Sequence, residues 1–518
     1  MSAAPYDAVV IGGGMAGVPL AHRLAYKGLR VALIERAELG GTCLNRGCIP
    51  TKTMIASARI AHQAYLSEQW GVETGEVHVN LGRVVDRKDE LVRSIRSGSE
   101  RNVVENKNVT LLRGDAHFTG ERRLLVKGAE ISADRVFIAV GTRNGVPDIE
   151  GLNDVPFLDS TSAMELREIP PRLIIVGGGY IGVEFAQMYR RFGSQVTLLQ
   201  GAPHLLADED DEITAALQEA LEAEGIELIV NARVLRAEGV DGQVQVVARI
   251  GDDEVGRTGT HLMIATGRVP NTDGLGLELA GVKVDARGFI VINDRLETSA
   301  PGVWALGDVR GGPMFTHTAR DDARLLYQNV VKGANLSIKD RVVPWGLFSD
   351  PQLGRVGLTE RQAREAGFKV KVGRYEARKV AKARALGETR RLIKVIADAG
   401  TDRILGASVL MAEGAELVHE FVTAMVLGAK YTELQNMIHI HPTLAEGLNN
   451  ALGGVHFEEG LERATADIPA RPLWRRCQAR TGTERKPRPF SGPGRPRAAM
   501  VSRWSSLVQP PPRCPEHR

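Results

Sequence analysis

The feature that most restricts the fold of this chain is a strand-glycine-helix-strand unit that occurs twice with the same internal spacing. The first copy runs from Tyr6-Asp7-Ala8-Val9-Val10-Ile11 through Gly12-Gly13-Gly14-Met15-Ala16-Gly17 to a second apolar strand, Arg30-Val31-Ala32-Leu33-Ile34, which ends in Glu35. The second runs from Leu173-Ile174-Ile175-Val176 through Gly177-Gly178-Gly179-Tyr180-Ile181-Gly182 to Gln195-Val196-Thr197-Leu198-Leu199-Gln200. Gly12, Gly14 and Gly17, and again Gly177, Gly179 and Gly182, supply the tight turn and bare backbone that let a pyrophosphate sit at a helix N-terminus. One such string is weak evidence, because glycine turns are common. Two copies in full strand-helix-strand context predict two Rossmann-like domains and two dinucleotides. Pro19, read as lying beyond the first helical turn, predicts a slight distortion of the first helix.

The two copies can be compared position by position, since Gly12 to Glu35 and Gly177 to Gln200 both span 23 positions. Glu35 is placed to take ribose hydroxyls, while Gln200 stands where the second copy should carry its acid. An acid there binds a free 2′-hydroxyl and repels a 2′-phosphate, so its absence leans the second site towards NADPH rather than NADH. Neither Gln200 nor Gly201 is the arginine that would clamp a phosphate, which leaves His204 and Arg190 or Arg191 as weaker candidates.

Between the copies lies Gly40-Gly41-Thr42-Cys43-Leu44-Asn45-Arg46-Gly47-Cys48-Ile49-Pro50-Thr51-Lys52. Two cysteines five positions apart, beside a dinucleotide unit in a chain with four cysteines in all, point to redox chemistry more than to a structural staple. A metal site would need two further ligands, and none lies near in sequence; buried inert thiols are the other alternative. The thiolate is the reactive form, so the pair should sit where its pKa is lowered. Lys52, four residues past Cys48, falls on the same helical face, where its ammonium could stabilise negative charge or simply be solvated. Near the C-terminal end, His441-Pro442-Thr443-Leu444-Ala445-Glu446 places a histidine before a helix start with a carboxylate five residues on, a pattern that suits a general base or a mere cap.

The cysteine segment resembles the redox-active disulfide of the flavin-dependent pyridine nucleotide-disulfide oxidoreductases, the family of dihydrolipoyl dehydrogenase, glutathione reductase and mercuric reductase. Further segments resemble it too: the two chain crossings Phe137-Ile138-Ala139-Val140-Gly141-Thr142-Arg143 and Met263-Ile264-Ala265-Thr266-Gly267-Arg268-Val269-Pro270-Asn271, and Gly302-Val303-Trp304-Ala305-Leu306-Gly307-Asp308, which matches the family's second flavin contact. The resemblance covers nearly all of residues 5 to 455. It implies an α/β fold with two Rossmann-like dinucleotide-binding domains and a C-terminal α+β dimerisation domain. The expected divisions are an FAD-binding domain in two parts, 1–147 and 271–342, an NAD(P)-binding domain, 148–270, a dimerisation domain, 343–456, and a basic tail, 457–518.

By the same resemblance FAD would contact Gly12, Gly14, Gly17, Glu35, Thr42, Lys52, Gly141 and Asp308. NAD(P)H would contact Gly177, Gly179, Tyr180, Gly182, Gln200 and Gly267, with Tyr180 covering the flavin until the nicotinamide arrives. Cys48 would lie nearest the flavin and Cys43 would attack substrate. Lys52 would pair with Glu184. His441, oriented by Glu446, would serve the cysteines of the other subunit, which implies a homodimer. The phrases Phe185-Ala186-Gln187-Met188, Phe192-Gly193-Ser194 and Asp350-Pro351-Gln352-Leu353-Gly354 look closest to the mercuric-reductase-like branch, which includes reactive-chlorine resistance flavoproteins. The paired C-terminal cysteines typical of mercuric reductases do not occur. A disulfide or soft-metal reductase is therefore the expectation, with dihydrolipoyl dehydrogenase as the alternative. A redox-inactive flavin-binding protein and a flavin hydroxylase are weaker, because neither needs the cysteine pair.

Size and composition are compatible with this. At 518 residues the chain exceeds one core. Its 43% apolar and 25% charged residues suit a globular protein, and no apolar run approaches the roughly 18 residues of a membrane helix. With no targeting signal in Met1-Ser2-Ala3-Ala4-Pro5, a cytoplasmic location is expected. The net charge of +3 is concentrated in residues 471–518, which hold 12 of the 66 basic and 2 of the 63 acidic residues. The remainder, with 54 basic and 61 acidic residues, is mildly acidic and suggests neither nucleic-acid nor membrane binding. Residues 471–518, rich in proline and arginine, read as a disordered tail or as sequence translated past the natural end, and Cys477 and Cys514 within them read as incidental.

Overall fold

The computed structural model describes residues 6–457 except 340, 389 and 390. The expectations for residues 458–518, including Cys477 and Cys514, lie outside the described residues.

Both glycine units form as the sequence requires. Strand Tyr6–Ile11 pairs in parallel with Val31–Glu35, which pairs in turn with Val109–Arg113. On its other side Tyr6–Ile11 meets the long strand Ala129–Ile138, and Val303–Ala305 joins the C-terminal end of that strand, also in parallel. Four-residue runs such as Ala8–Ile11 and Val31–Ile34 are buried on both faces, which is why they read as continuous apolar strings with no alternation. The return of residues 303–305 to this sheet makes the first unit discontinuous in sequence. The second unit is a parallel four-stranded sheet in the order Glu227–Ile229, Gln195–Leu199, Arg172–Val176, His261–Ile264, beside an antiparallel three-stranded sheet of residues 233–259. Residues 344–457 build a six-stranded antiparallel sheet.

The glycines are needed for close packing within each unit. A Cβ on Gly17 would stand 1.9 Å from the Gly12 carbonyl oxygen, and one on Gly182 would stand 1.8 Å from that of Gly177. The same pair of contacts thus draws each helix onto its strand.

Pro19 does not distort the first helix. That helix spans Gly17–Tyr26, so Pro19 sits in its first turn, where a backbone N–H has no intrahelical acceptor in any case. The expectation of a bend arose from counting the helix from the glycines instead of from Gly17. The two chain crossings pair with each other: Thr142–Asn144 runs antiparallel to Arg268–Pro270, held by Arg268, which donates to the Thr142 hydroxyl at 2.7 Å and to Asn144 Oδ1 at 2.9 Å.

Candidate active site

One continuous cavity of ≈ 2560 Å³ runs from Glu35 past Cys43, Cys48 and Lys52 to Tyr180 and Gln200. The two ends are built alike. The Glu35 carboxylate accepts from Gly13 N at 2.7 Å and from Ala37 N at 2.7 Å. The Gln200 carboxamide oxygen accepts from Gly178 N at 3.0 Å, and its Nε2 donates to His204 O at 3.4 Å. Glutamine therefore reproduces the acid's structural bond to the glycine loop while carrying no charge. Gly12, Gly14, Gly141, Thr42 and Asp308 line the first end, and Gly177, Gly179 and Gly267 the second. No atom of the protein lies within 4 Å of the Cβ that Gly141, Gly179 or Gly267 would carry, so these backbones face open cavity.

The candidate clamps for a 2′-phosphate do not reach the second end. Arg191 is buried in ion pairs with Glu224 at 2.7 Å and Asp350 at 3.0 Å, and Arg190 donates to Glu224 O at 2.8 Å. Both sit in the last turn of helix Tyr180–Phe192, whose N-terminus is the end that faces the glycine loop. His204 lies near Gln200, but its Nε2 is 3.3 Å from Asp211.

At the centre, a short helix, Gly41–Arg46, carries Cys43, and the helix Cys48–Tyr65 begins at the second cysteine. Both cysteines are free thiols, Cys43 half-buried and Cys48 exposed to the cavity. They behave oppositely. A hydrogen bond from the Cys43 thiol, the nearby Thr316 hydroxyl and the Lys52 ammonium pull Cys48 down to about 6, whereas that same pairing together with burial pushes Cys43 up. The Thr316 Oγ lies 3.4 Å from Cys48 Sγ and belongs to the first residue of helix Thr316–Lys332, so the helix N-terminus faces the thiolate as well.

Lys52 reaches the buried Glu184 carboxylate with contacts of 2.6 and 2.8 Å, and its ammonium stands 4.7 Å from the Phe348 ring centre. Glu184 also accepts from Phe348 N at 3.0 Å, so it is fixed from two sides. Tyr180, 40% exposed, packs edge-on against Trp345 and Phe315, with ring centres 4.9 and 6.0 Å away. Partial burial and then the Glu209 and Asp208 carboxylates push its phenol up to about 12, which keeps it neutral.

Asp308 shows how the first end fits a flavin nucleotide. Its carboxyl, facing the cavity, accepts one bond of 3.3 Å from the Thr142 hydroxyl, and burial raises its pKa. A carboxyl so placed lacks donors, and the hydroxyls of a ribityl chain would supply them.

His441 and Glu446 are brought together but not to the cysteines. His441 Nδ1 is 2.9 Å from Glu446, whose other oxygen accepts from Thr443 N at 2.9 Å. The Thr443 bond and then His441 hold the Glu446 carboxyl below its ordinary range. His441 is 71% exposed and outside the cavity, in a segment that also exposes Met437, Ile438 and Ile440. His439 is instead largely buried, 3.1 Å from Glu420, and serves packing. Sequence reading missed Thr316 and Arg268, which reach the site from segments far along the chain. The Thr in Phe315-Thr316-His317, following the Asp308 motif by eight residues, was the available signal.

Two dinucleotide folds that share one cavity with a thiol pair, one thiol lowered and one raised, define a flavin- and pyridine nucleotide-linked oxidoreductase. Sequence models of the pyridine nucleotide-disulphide oxidoreductase family match residues 6–323, and those of its dimerisation domain match residues 343–452. The chain belongs to this family, whose members are flavoprotein enzymes using FAD and a pyridine nucleotide. It is 39% identical over 458 residues to a dihydrolipoyl dehydrogenase of Thermus scotoductus, covering 87% of this chain and 97% of that one. It is 36% identical over 448 residues to a mercuric reductase of Bacillus cereus, covering 86% and 71%. The solved Cu(II) complex of the HOCl-induced flavoprotein disulfide reductase RclA from Escherichia coli matches with a TM-score of 0.79 at 37% identity, covering 87% of this chain and 99% of that one. Among the described residues no helix is long and apolar enough to cross a membrane.

Proposed function

We propose that this chain is an NAD(P)H-dependent reductase of disulfides or soft metals, of the branch that contains mercuric reductase and RclA. The observation that carries the reading is the environment of Cys48, where Thr316, the Cys43 thiol and Lys52 favour a thiolate beside the flavin end of the cavity. Gly12, Gly14, Glu35, Thr42, Gly141 and Asp308 would hold FAD, with Gly17 drawing the helix onto its strand beneath it, and the flavin would supply the passage of two electrons from nicotinamide to the Cys43–Cys48 disulfide. Lys52, held by Glu184, offsets the negative charge that passage creates. Tyr180 would give way to the nicotinamide, and Gly177, Gly179 and Gly267 would let its nucleotide approach, with Gly182 packing the helix onto its strand.

The dithiol then works by exchange. His441 first takes the proton that its surroundings hold on Cys43; the Cys43 thiolate so formed attacks one sulfur of the substrate, a mixed disulfide forms, and the first thiol leaves with that proton returned by His441. Cys48 thiolate attacks Cys43 Sγ, releases the second thiol and restores the disulfide. One NAD(P)H and one proton are consumed for two thiols formed. His441 does this from a partner subunit: its exposed, apolar-rimmed position matches a homodimer in which each site borrows a neighbour's base. Glu446 sets its tautomer and stabilises the imidazolium. A soft cation is an alternative substrate because thiolates are soft ligands, and the copper complex of RclA supports it. The donor reading leans to NADPH, and the setting is the cytoplasm. Dihydrolipoyl dehydrogenase activity is the second reading, favoured by the Thermus relative.

Anaerobic titration with NADPH and with NADH tests the proposal. A long-wavelength absorbance, as given by a thiolate against oxidised flavin, should grow at two electrons per flavin and vanish in Cys48→Ser. Bleaching of the flavin without that band sinks the disulfide reading. Reduction of a lipoyl-domain disulfide far faster than other disulfides or Hg(II) would put the second reading first.

A further inference from the structure

We infer that Arg233 is the residue that selects NADPH, by forking onto the 2′-phosphate of the adenosine ribose. This rests on reading the second glycine unit as the NAD(P)H site. The segment that carries Arg233 is stitched to the end of that unit. Ala232 N donates to Gln200 O at 2.9 Å, and Asn231 N to Ala202 O at 2.9 Å. Gln200, Gly201 and Arg233 line the same end of the cavity, and Arg233 is exposed there.

Charge accounting singles it out. Arg233 makes no ion pair among the described residues, whereas the arginines around it are taken: Arg236 by Glu238 and Glu254, and Arg249, its cross-strand neighbour, by Glu254. Position 200, where the first unit carries its acid, is a neutral glutamine whose carboxamide oxygen is spent on Gly178 N. Asp208 also lines the cavity, but its field falls on Tyr180, at the nicotinamide end. A guanidinium left without a carboxylate, one residue from the Gln200 contact, is the geometry for a phosphate dianion, which planar paired donors bind in bidentate fashion. A free 2′-hydroxyl gains nothing comparable from it.

The test is equilibrium binding of 2′,5′-ADP and 5′-AMP to the FAD-loaded protein by calorimetry, for the native chain, Arg233→Ala and Arg233→Lys. Arg233 is exposed, so its removal leaves the fold intact, which the flavin spectrum checks. The native protein should prefer 2′,5′-ADP by about tenfold or more, the scale of a charge-assisted pair. Arg233→Ala should erase that preference by weakening 2′,5′-ADP alone, and Arg233→Lys should restore part of it. The NADPH-to-NADH ratio of kcat/KM should follow. Absence of a preference in the native protein, or equal loss of both ligands in Arg233→Ala, overturns the inference while leaving the thiolate band of the reductase untouched. Failure of either ligand to bind overturns both this inference and the nucleotide assignment beneath it.

Discussion

At the scale of single residues, reactivity is divided between two thiols by their neighbours. Cys48 gains from the Cys43 thiol, the Thr316 hydroxyl and the Lys52 ammonium, while Cys43 gives up its own proton last. Because the favoured species at Cys48 is the anion, the long-wavelength band of the reduced enzyme should be present above the Cys48 pKa and fade as pH falls below about 6. Thr316→Val removes a stabilising donor, so its band should titrate at higher pH, whereas Thr316→Ser should stay near the native midpoint; spectrophotometric pH titration distinguishes them. Lys52 acts on the same charge from another direction. Lys52→Met should slow reduction of the bound flavin by NADPH in stopped-flow, by roughly tenfold to a hundredfold, on the scale of one lost electrostatic partner.

At the scale of elements, the glycine units were legible because their spacing is short-range: strand, turn and helix are consecutive, and each contact within them lies inside about 25 residues. Their equivalence extends to side chains, Glu35 on Gly13 and Gln200 on Gly178. Gly182→Ala should therefore lose pyridine-nucleotide binding yet keep its flavin, and Gly17→Ala should lose flavin, as read from the 450 nm to 280 nm absorbance ratio. What could not be read from local pattern was the meeting of distant segments. Thr316 comes to Cys48 across 268 positions, and Lys52 meets Glu184 across 132. The second of these was expected only through family resemblance. Arg190 and Arg191 were misplaced for the same reason: nearness in sequence to the glycine loop says nothing about which end of a thirteen-residue helix faces it. Pro19 turned on a smaller matter: the helix starts at Gly17, which puts the proline within the first turn and not beyond it.

At the scale of the whole molecule, buried ions tie the second nucleotide unit to the six-stranded sheet. Lys394, 2% exposed, stands 2.7 Å from Asp210, 2.9 Å from Glu212 and 2.8 Å from Glu360, and Arg355 meets Glu209 at 3.0 Å. Removing Lys394 strips the buried Asp210 of its cation and leaves Glu212 and Glu360 to Arg374 and Arg364, so Lys394→Ala should destabilise the protein by about 3 kcal/mol and lower its thermal midpoint. Burial raises the Glu212 pKa, but Arg374 and Lys394 outweigh it and hold the carboxyl at about 2, below an ordinary 4.5. Its contribution is therefore complete above about 4.5 and lost as pH falls towards 2, a window that acid unfolding followed by circular dichroism should show and Lys394→Ala should narrow. The exposed His441–Glu446 pair has a different consequence. If each site takes its thiols from one chain and its base from the other, two inactive proteins can rescue one another. Cys48→Ser and His441→Ala subunits, unfolded together and reassembled in equal amounts, would form mixed pairs in which one of the two sites carries every native group, and about a quarter of native activity would return from parents that have none.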